Sequence, residues 1–297
     1  MSSEAIQTQR TRHGPFERIV LTAPDPIRPA AQSVYRIGDT LIDAAGSRVA
    51  DTLVAALRED PPRRILLTHQ HEDHVGGVGA LRRAFGQIPV HVARSYLPLL
   101  ASIDRVPDYR ARYWGNPELI CDAIGFDPGD VFEVGGLALQ TLETPGHTPF
   151  HITFVAREAD ETFALTGDLF TSATPLAAWF ESAADDTARS CRAVASSGPN
   201  VHLLPTHGKV RSNGRDTLLA LAALMDEKTA EVLRAAERLG SRDCQRIALE
   251  VFGAADAPGM RVSENEYGFA YFVRSVLDPV RSLPAARLPI AVRAEIV

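Results

Sequence analysis

Apolar and polar positions along this chain follow strand and helix periods in turn. Arg18-Ile19-Val20-Leu21 and Ser33-Val34-Tyr35-Arg36-Ile37 read as short strands, separated by a connection carrying Pro24, Pro26 and Pro29. Gly38-Asp39 turns the second of these into Thr40-Leu41-Ile42-Asp43, so an antiparallel hairpin is expected to open the fold. Val49 to Arg58 has helical spacing, with Asp51 on a polar face and Leu53, Val54 and Leu57 on an apolar one, and Pro61-Pro62 stops it. Ile65-Leu66-Leu67 then reads as a buried strand. Val78 to Phe85 continues as a helix that Gly86 can cap, and Pro89-Val90-His91-Val92 forms another strand. Strand, helix, strand in that order implies a parallel crossover.

Residues 95–127 break this rhythm. Tyr96, Tyr109, Tyr113 and Trp114 are interspersed with Pro98, Pro107 and Pro117, which suggests short helices and loops forming a lid. Beyond it, strand patterns return at Val131–Val134, Leu137–Gln140, His151–Val155 and Thr162–Leu165, followed by a helix from Asp185 to Ala195 and a last strand at Val201–Leu204. Two sheets, each with helices on its outer side, define an α/β fold, a four-layer αββα sandwich. From Arg215 the composition shifts to Ala, Leu, Glu and Arg: a long helix to Leu239, a shorter one through Ile247 to Phe252, and one near Ala270 to Leu277. The expected division is a sandwich over 1–214 and a helical C-terminal extension over 215–297.

Composition narrows the classes of function. The 297 residues are 45% hydrophobic and 23% charged, ordinary for a globular protein with a sizeable core. A formal net charge of −6 does not recruit nucleic acid or anionic lipid over long range. Cys121, Cys191 and Cys244 are odd in number and lack a Cys-x-x-Cys pair, which argues against a disulfide framework and a zinc ribbon. The polar stretch Met1 to Phe16 does not read as a signal peptide, His13 within it is expected to be disordered, and no run approaches the roughly 18 apolar residues of a spanning helix. The expectation is a cytoplasmic protein without a membrane partner, for which a homodimer is compatible.

The candidate chemistry lies where Ile65-Leu66-Leu67 runs out into Thr68-His69-Gln70-His71-Glu72-Asp73-His74-Val75-Gly76-Gly77. Strand ends that open into helices are where α/β sheets place their sites. Three imidazoles and two acids packed into six positions call for a positive charge among them, and a metal ion supplies it. Three other strand ends each bring a His or Asp beside a glycine: Thr144-Pro145-Gly146-His147-Thr148, Thr166-Gly167-Asp168-Leu169 and Pro205-Thr206-His207-Gly208. Each residue also has a plainer reading. Asp73 suits a helix N-cap, Asp168 a turn and His207 the surface. Glu72 reads as facing solvent or supporting the ligands, and His91, His151 and His202 as strand or supporting residues.

Taken together, Thr68-His69-Gln70-His71-Glu72-Asp73-His74 with His147, Asp168 and His207 resembles the metallo-β-lactamase-fold hydrolase superfamily, whose signature is His-x-His-x-Asp-His followed by isolated His, Asp and His. The resemblance runs from about residue 17 to 210 in the right order. It implies a metallo-β-lactamase sandwich and two divalent metal ions, with Zn²⁺ the first expectation and Mn²⁺ or Fe²⁺ compatible. His69, His71 and His147 would bind the first ion, Asp73, His74 and His207 the second, and Asp168 would bridge them. Ions roughly 3.5–4 Å apart can share a hydroxide, the implied nucleophile, with Asp73 orienting it or relaying a proton.

Departures within the superfamily narrow the implied activity. True β-lactamases of this fold lack the bridging aspartate that Asp168 would supply, and flavodiiron-type members carry glutamate at the second histidine, here His71. The interval between Asp168 and His207 has no room for a nuclease cap and no tyrosine of the kind found in quorum-signal lactonases. What survives is hydrolysis of a small ester, thioester or lactone, in a layout similar to the glyoxalase II and β-lactamase-like-protein-2 branches, which append helices after the last histidine. Two alternatives come from other classes. One is a metal-dependent endoribonuclease or phosphodiesterase, for which Lys209, Arg211 and Arg215 form a small basic run, a pattern that is usually a solvated face. The other is a non-enzymatic module whose helical tail recruits a partner.

Overall fold

The computed structural model describes residues 5–25, 29–255 and 266–281. Pro26 and parts of both terminal stretches considered above lie outside them. The first sheet has seven strands in sequence order: β1 (Gln7–His13), β2 (Phe16–Ala23), β3 (Ala30–Ile37), β4 (Thr40–Ile42), β5 (Arg64–Leu66), β6 (Val90–Ala93) and β7 (Ile124–Phe126). Neighbours from β1 to β4 are antiparallel and those from β4 to β7 parallel. Parallel neighbours need crossovers. These contain α1 (Ala50–Leu57), then α2 (Glu72–Val75) with α3 (Val78–Phe85), then α4 (Leu97–Leu100) with α5 (Asp108–Trp114). Gly86 ends α3 as expected, at φ +87°, with its N–H donating to the carbonyl of Arg82.

The second sheet comprises β8 (Val131–Val134), β9 (Leu137–Glu143), β10 (Ile152–Glu158), β11 (Glu161–Gly167) and, beyond a short strand β12 (Ala178–Trp179), β13 (Val201–Pro205). Its order is β13-β11-β10-β9-β8. The β11–β13 pair is parallel and is bridged by a connection that includes α6 (Ala184–Ala195). Side chains of the central strands alternate between two cores, as the two-residue period of a strand requires. Phe154, Phe163, Leu165 and Leu204 enter the core shared with the first sheet, α1 and α3; Val155, Ala164 and Leu203 enter a second core with α6. Strands buried on both faces make the four layers.

The second core also takes Leu218, Leu221 and Met225 of α7 (Gly214–Leu239), Ile247 of α8 (Cys244–Phe252) and Phe272 and Val273 of α9 (Phe269–Leu277). The C-terminal helices therefore share an apolar core with α6. Residues 267–268 form a further strand, β14 (Tyr267–Gly268), antiparallel to β12. No described helix is long and apolar enough to cross a membrane.

Two expectations change. The fold opens one hairpin earlier, because Gln7–His13 pairs along its length with Phe16–Thr22. His13 closes that strand, its Nε2 3.1 Å from the Thr11 hydroxyl, and is not disordered. The polar sequence of β1 hid it, since an edge strand facing solvent needs no apolar alternation. Within the 95–127 segment, Tyr96 is fully buried with its hydroxyl bonded to Thr148, Tyr109 is buried with its hydroxyl donating to Glu266 at 2.6 Å, and Ile124–Phe126 adds the seventh strand. Tyr113 and Trp114 stay partly exposed, and the Trp114 ring lies 5.4 Å from that of His207.

Candidate metal centre

Five strand ends meet at one rim. β5 leads through Leu67 and Thr68 to His69, and His71 is the N-cap of the single-turn helix α2, so Asp73 and His74 project from its first turn. β9 leads to His147, β11 to Asp168 and β13 to His207. The fifth end, after β4, carries Asp43. Two glycines make these close approaches sterically possible. A side chain at Gly77 would meet the carbonyl oxygen of Ala44 at 2.0 Å, so only glycine lets the Asp43–Ala45 turn press against the end of α2. Gly167, at φ +47°, lies where a Cβ would come within 2.6 Å of His151 Nε2 and 2.9 Å of the Thr68 hydroxyl, and it delivers Asp168 to the rim.

All seven residues singled out in the sequence come together. The ligand-type atoms of His69, His71 and His147 lie within 4.8 Å of one another, and so do those of Asp73, His74, Asp168 and His207, giving two groups that could each hold a metal ion. Asp168 faces both. Its Oδ2 is 3.5 Å from His147 Nε2, while Oδ1 is 3.5 Å from His74 Nε2 and 3.7 Å from His207 Nε2. His207 is the most open, its side chain 21% exposed against 8% for Asp168, so the second group marks the side from which solvent reaches the centre.

Hydrogen bonds on the far nitrogens orient the rings. His74 Nδ1 bonds Asp43 Oδ2 at 2.7 Å, His207 Nδ1 donates to the carbonyl of Ala31 at 2.9 Å, and His69 Nδ1 lies 3.1 Å from the Thr68 hydroxyl. Each leaves Nε2 facing the centre. His71 is reversed: Nε2 bonds Glu181 Oε2 at 2.6 Å, and Nδ1 lies 3.1 Å from His147 Nε2. His151 supports the site from beneath, accepting the backbone N–H of Asp168 at Nε2 (3.2 Å), with Nδ1 2.9 Å from the Thr144 hydroxyl.

The donor set fits a cation. His69 Nε2, His74 Nε2 and Asp168 Oδ1 are buried without a hydrogen-bond partner. A buried polar atom left unsatisfied costs about 1–3 kcal/mol, and these three belong to the two groups above. Imidazole nitrogen with carboxylate oxygen is a donor combination suited to zinc and related divalent metals.

Electrostatics divide the histidines. Burial, reinforced by neighbouring imidazoles, pushes His69 well below the ordinary histidine value, and burial takes His147 down to about 4. Burial also opposes a charge on His74 and His207, but nearby carboxylates outweigh it. Asp43, Asp73 and Asp168 raise His74 well above its usual value, and Asp168 with Asp73 raises His207 to about 9. Burial likewise opposes ionisation of Asp73 and Asp168, yet His74 and His207 hold both carboxyls well below the usual carboxylate range. Without a cation, protons on His74 and His207 therefore supply the charge the carboxylates require.

A pH dependence follows. The raised values mean that stability from protonated His74 and His207 is complete below about pH 6.5, and the His207 share is lost as pH rises through about 9. A divalent ion held by these residues would replace those protons. Metal binding at pH 7 is expected to release protons, seen as a calorimetric heat that changes with the ionisation enthalpy of the buffer, and affinity should weaken on acidification. A heat independent of buffer would show that these sites do not exchange protons for metal.

Sequence reading missed two carboxylates. Asp43, at φ +60°, accepts the Thr68 backbone N–H at 2.8 Å and the Thr68 hydroxyl at 3.0 Å in addition to bonding His74. Glu181, 1% exposed, follows β12 and meets His71 across 110 positions. A lone acid after a strand was the available signal for Asp43; none existed for Glu181. Glu72 is buried and held by two bonds from Arg110 of α5, at 2.8 and 2.5 Å, so its supporting reading holds and its solvent-facing one does not.

Fold and site together define an αββα sandwich with a paired His/Asp centre at its strand ends. A family model described as the metallo-beta-lactamase superfamily matches residues 28–241, and the chain belongs to that superfamily. The hydroxyacylglutathione hydrolase of Pseudomonas paraeruginosa (strain DSM 24068 / PA7) is 28% identical over 227 residues, covering 76% of this chain and 78% of that protein. That of Rhodopseudomonas palustris (strain BisB5) is 35% identical over 117 residues, a stretch spanning 39% of this chain and 38% of the relative. A metallo-beta-lactamase family protein from Thermus thermophilus shares the fold with a TM-score of 0.60 at 20% identity, covering 88% of this chain and 92% of its own.

Proposed function

We propose that this metal-dependent hydrolase holds two divalent ions, His69, His71 and His147 around one and Asp73, His74 and His207 around the other with Asp168 between them, and cleaves a small ester, thioester or lactone. The observation that carries the reading is the placement of Asp168, with one carboxylate oxygen toward each group. Zn²⁺ is the first choice for the histidine-rich set, with Mn²⁺ or Fe²⁺ compatible. Divalent ions in such a centre polarise a carbonyl and make water nucleophilic near neutral pH.

The protein's own groups then divide the work. Asp73 is ionised, its Oδ2 2.9 Å from His207 Nε2 on the more open side. It accepts a proton from the attacking water and returns it to the leaving alkoxide or thiolate. The partly exposed Trp114 beside His207 offers an apolar wall to the acyl portion. Hydroxyacylglutathione, named in the relatives above, is an acyl thioester, which makes thioesters the first substrates to test.

The deciding experiment pairs metal analysis with a panel of thioesters, lactones, esters, phosphodiesters and short RNAs, using His71→Ala as the blank. Turnover of at least one acyl substrate, lost on chelation and restored by Zn²⁺ or Mn²⁺, is expected. Full turnover by metal-stripped protein would overturn the mechanism, and cleavage confined to phosphodiesters or RNA would move the activity to the nuclease class.

A further inference from the structure

We propose that Glu181 is a positioning residue for the metal centre: its buried carboxylate holds His71 with Nε2 turned outward, so that Nδ1 faces His69 and His147. The C-terminal segment in turn holds Glu181 in place. The inference rests on reading that histidine group as a metal site.

His71 faces its group through the opposite nitrogen from His69, and its two ring contacts account for the reversal. Nε2 is taken by Glu181 Oε2 at 2.6 Å, which leaves Nδ1, 3.1 Å from His147 Nε2, as the nitrogen available to a cation. A carboxylate on the far nitrogen of an imidazole ligand fixes its tautomer, stops the ring from turning and raises its basicity. Glu181 is equipped for this. At 1% exposed it has lost its water, so its charge needs partners. Besides His71, its Oε2 is 3.4 Å from the side-chain amide of Gln70, and Arg110 contributes a favourable charge. Arg110 is anchored by its two bonds to Glu72, next to the ligand Asp73, and stands over the Trp179 ring at 5.9 Å. The carboxylate that orients His71 and the cation that offsets it are thus tied to the same motif.

The backbone of Glu181 is held from the C-terminal side. Trp179 pairs with Tyr267 between β12 and β14, the Phe180 N–H donates to the carbonyl of Glu266 at 3.1 Å, and Arg274 of α9 donates to the carbonyl of Phe180 at 2.9 Å. The residue preceding Glu181 is bound on both its N–H and its C=O by the extension. The extension therefore acts on the centre through a continuous chain of contacts, from Arg274 and Glu266 to Phe180, Glu181 and His71.

The test is metal affinity and does not require a substrate. Zn²⁺ uptake is titrated against a chromogenic chelator, and the absorption of the Co²⁺-loaded protein is recorded, for the full-length wild type, Glu181→Ala, Glu181→Gln and Arg274→Ala. Glu181→Ala is expected to weaken one of two bound ions by about 10–100-fold, leave the other unchanged and shift one set of Co²⁺ bands. Glu181→Gln keeps an acceptor for Nε2–H without the charge and should lose several-fold, and Arg274→Ala should weaken the same ion and no other. If Glu181→Ala does not fold, Glu181→Gln decides. Wild-type uptake of two ions with unchanged affinities and bands in the variants would overturn the role of Glu181. A wild type that takes up no ion would overturn the metal-centre reading, and this inference with it.

Discussion

Asp168→Asn is expected to lower kcat/KM toward any acyl substrate by about 10³-fold or more, equivalent to about 4 kcal/mol of lost transition-state stabilisation. The side chain keeps its volume but loses its charge and one acceptor oxygen. Oδ1 is buried without a hydrogen-bond partner and lies 3.5 Å from His74 Nε2, and Oδ2 lies 3.5 Å from His147 Nε2, so a single amide cannot serve both sides. The variant should also take up fewer than two ions per chain, because the Asp168 carboxylate faces both histidine groups. Steady-state kinetics at saturating metal, paired with elemental analysis after gel filtration, measures both effects. Wild-type turnover with two ions still bound would remove Asp168 from the centre of the mechanism.

Removal of Asp43 is expected to have the largest effect on stability. Asp43→Ala leaves the backbone N–H and hydroxyl of Thr68 and Nδ1 of His74 without their acceptor, all in a region with almost no solvent access. Breaking a buried charged pair by deleting one partner costs about 3–5 kcal/mol. Alanine must also adopt the left-handed backbone that Asp43 holds at φ +60°, a conformation costing most residues roughly 1–2 kcal/mol. Asp43→Asn tolerates that backbone and keeps one acceptor, so it should lose less. Urea unfolding of the metal-free forms reads the difference, and the exposed Asp51→Ala on α1 should stay within about 0.5 kcal/mol of wild type. Equal stability of Asp43→Ala and wild type would mean that the Thr68–Asp43–His74 contacts do not support the fold.

Chain and fold diverge at a few identifiable places. β1 escaped notice because Gln7 to His13 carries no apolar alternation; its pairing with β2 comes from backbone bonds that any side chain permits. The aromatics of 95–127 have the same composition whether they pack or line a mouth. Tertiary contacts separated them, turning Tyr96 and Tyr109 inward onto Thr148 and Glu266 and leaving Trp114 at the rim beside His207. Glu72 was ambiguous for a similar reason, its partner Arg110 being 38 positions away on α5.

The two-sheet layering, the helices that follow and the group of seven His and Asp residues were legible in the linear chain. Strand and helix periods are local properties, and a site built at strand ends leaves its residues just after recognisable apolar runs. The orientation of the site was decided only in three dimensions. Which nitrogen of each imidazole faces inward depends on acceptors such as Asp43, 31 positions from His74, and Glu181, 110 positions from His71. A hydrogen bond across that distance imposes no spacing on the sequence, so the ring orientations and the hold of the C-terminal segment on the centre emerge only once distant segments pack together.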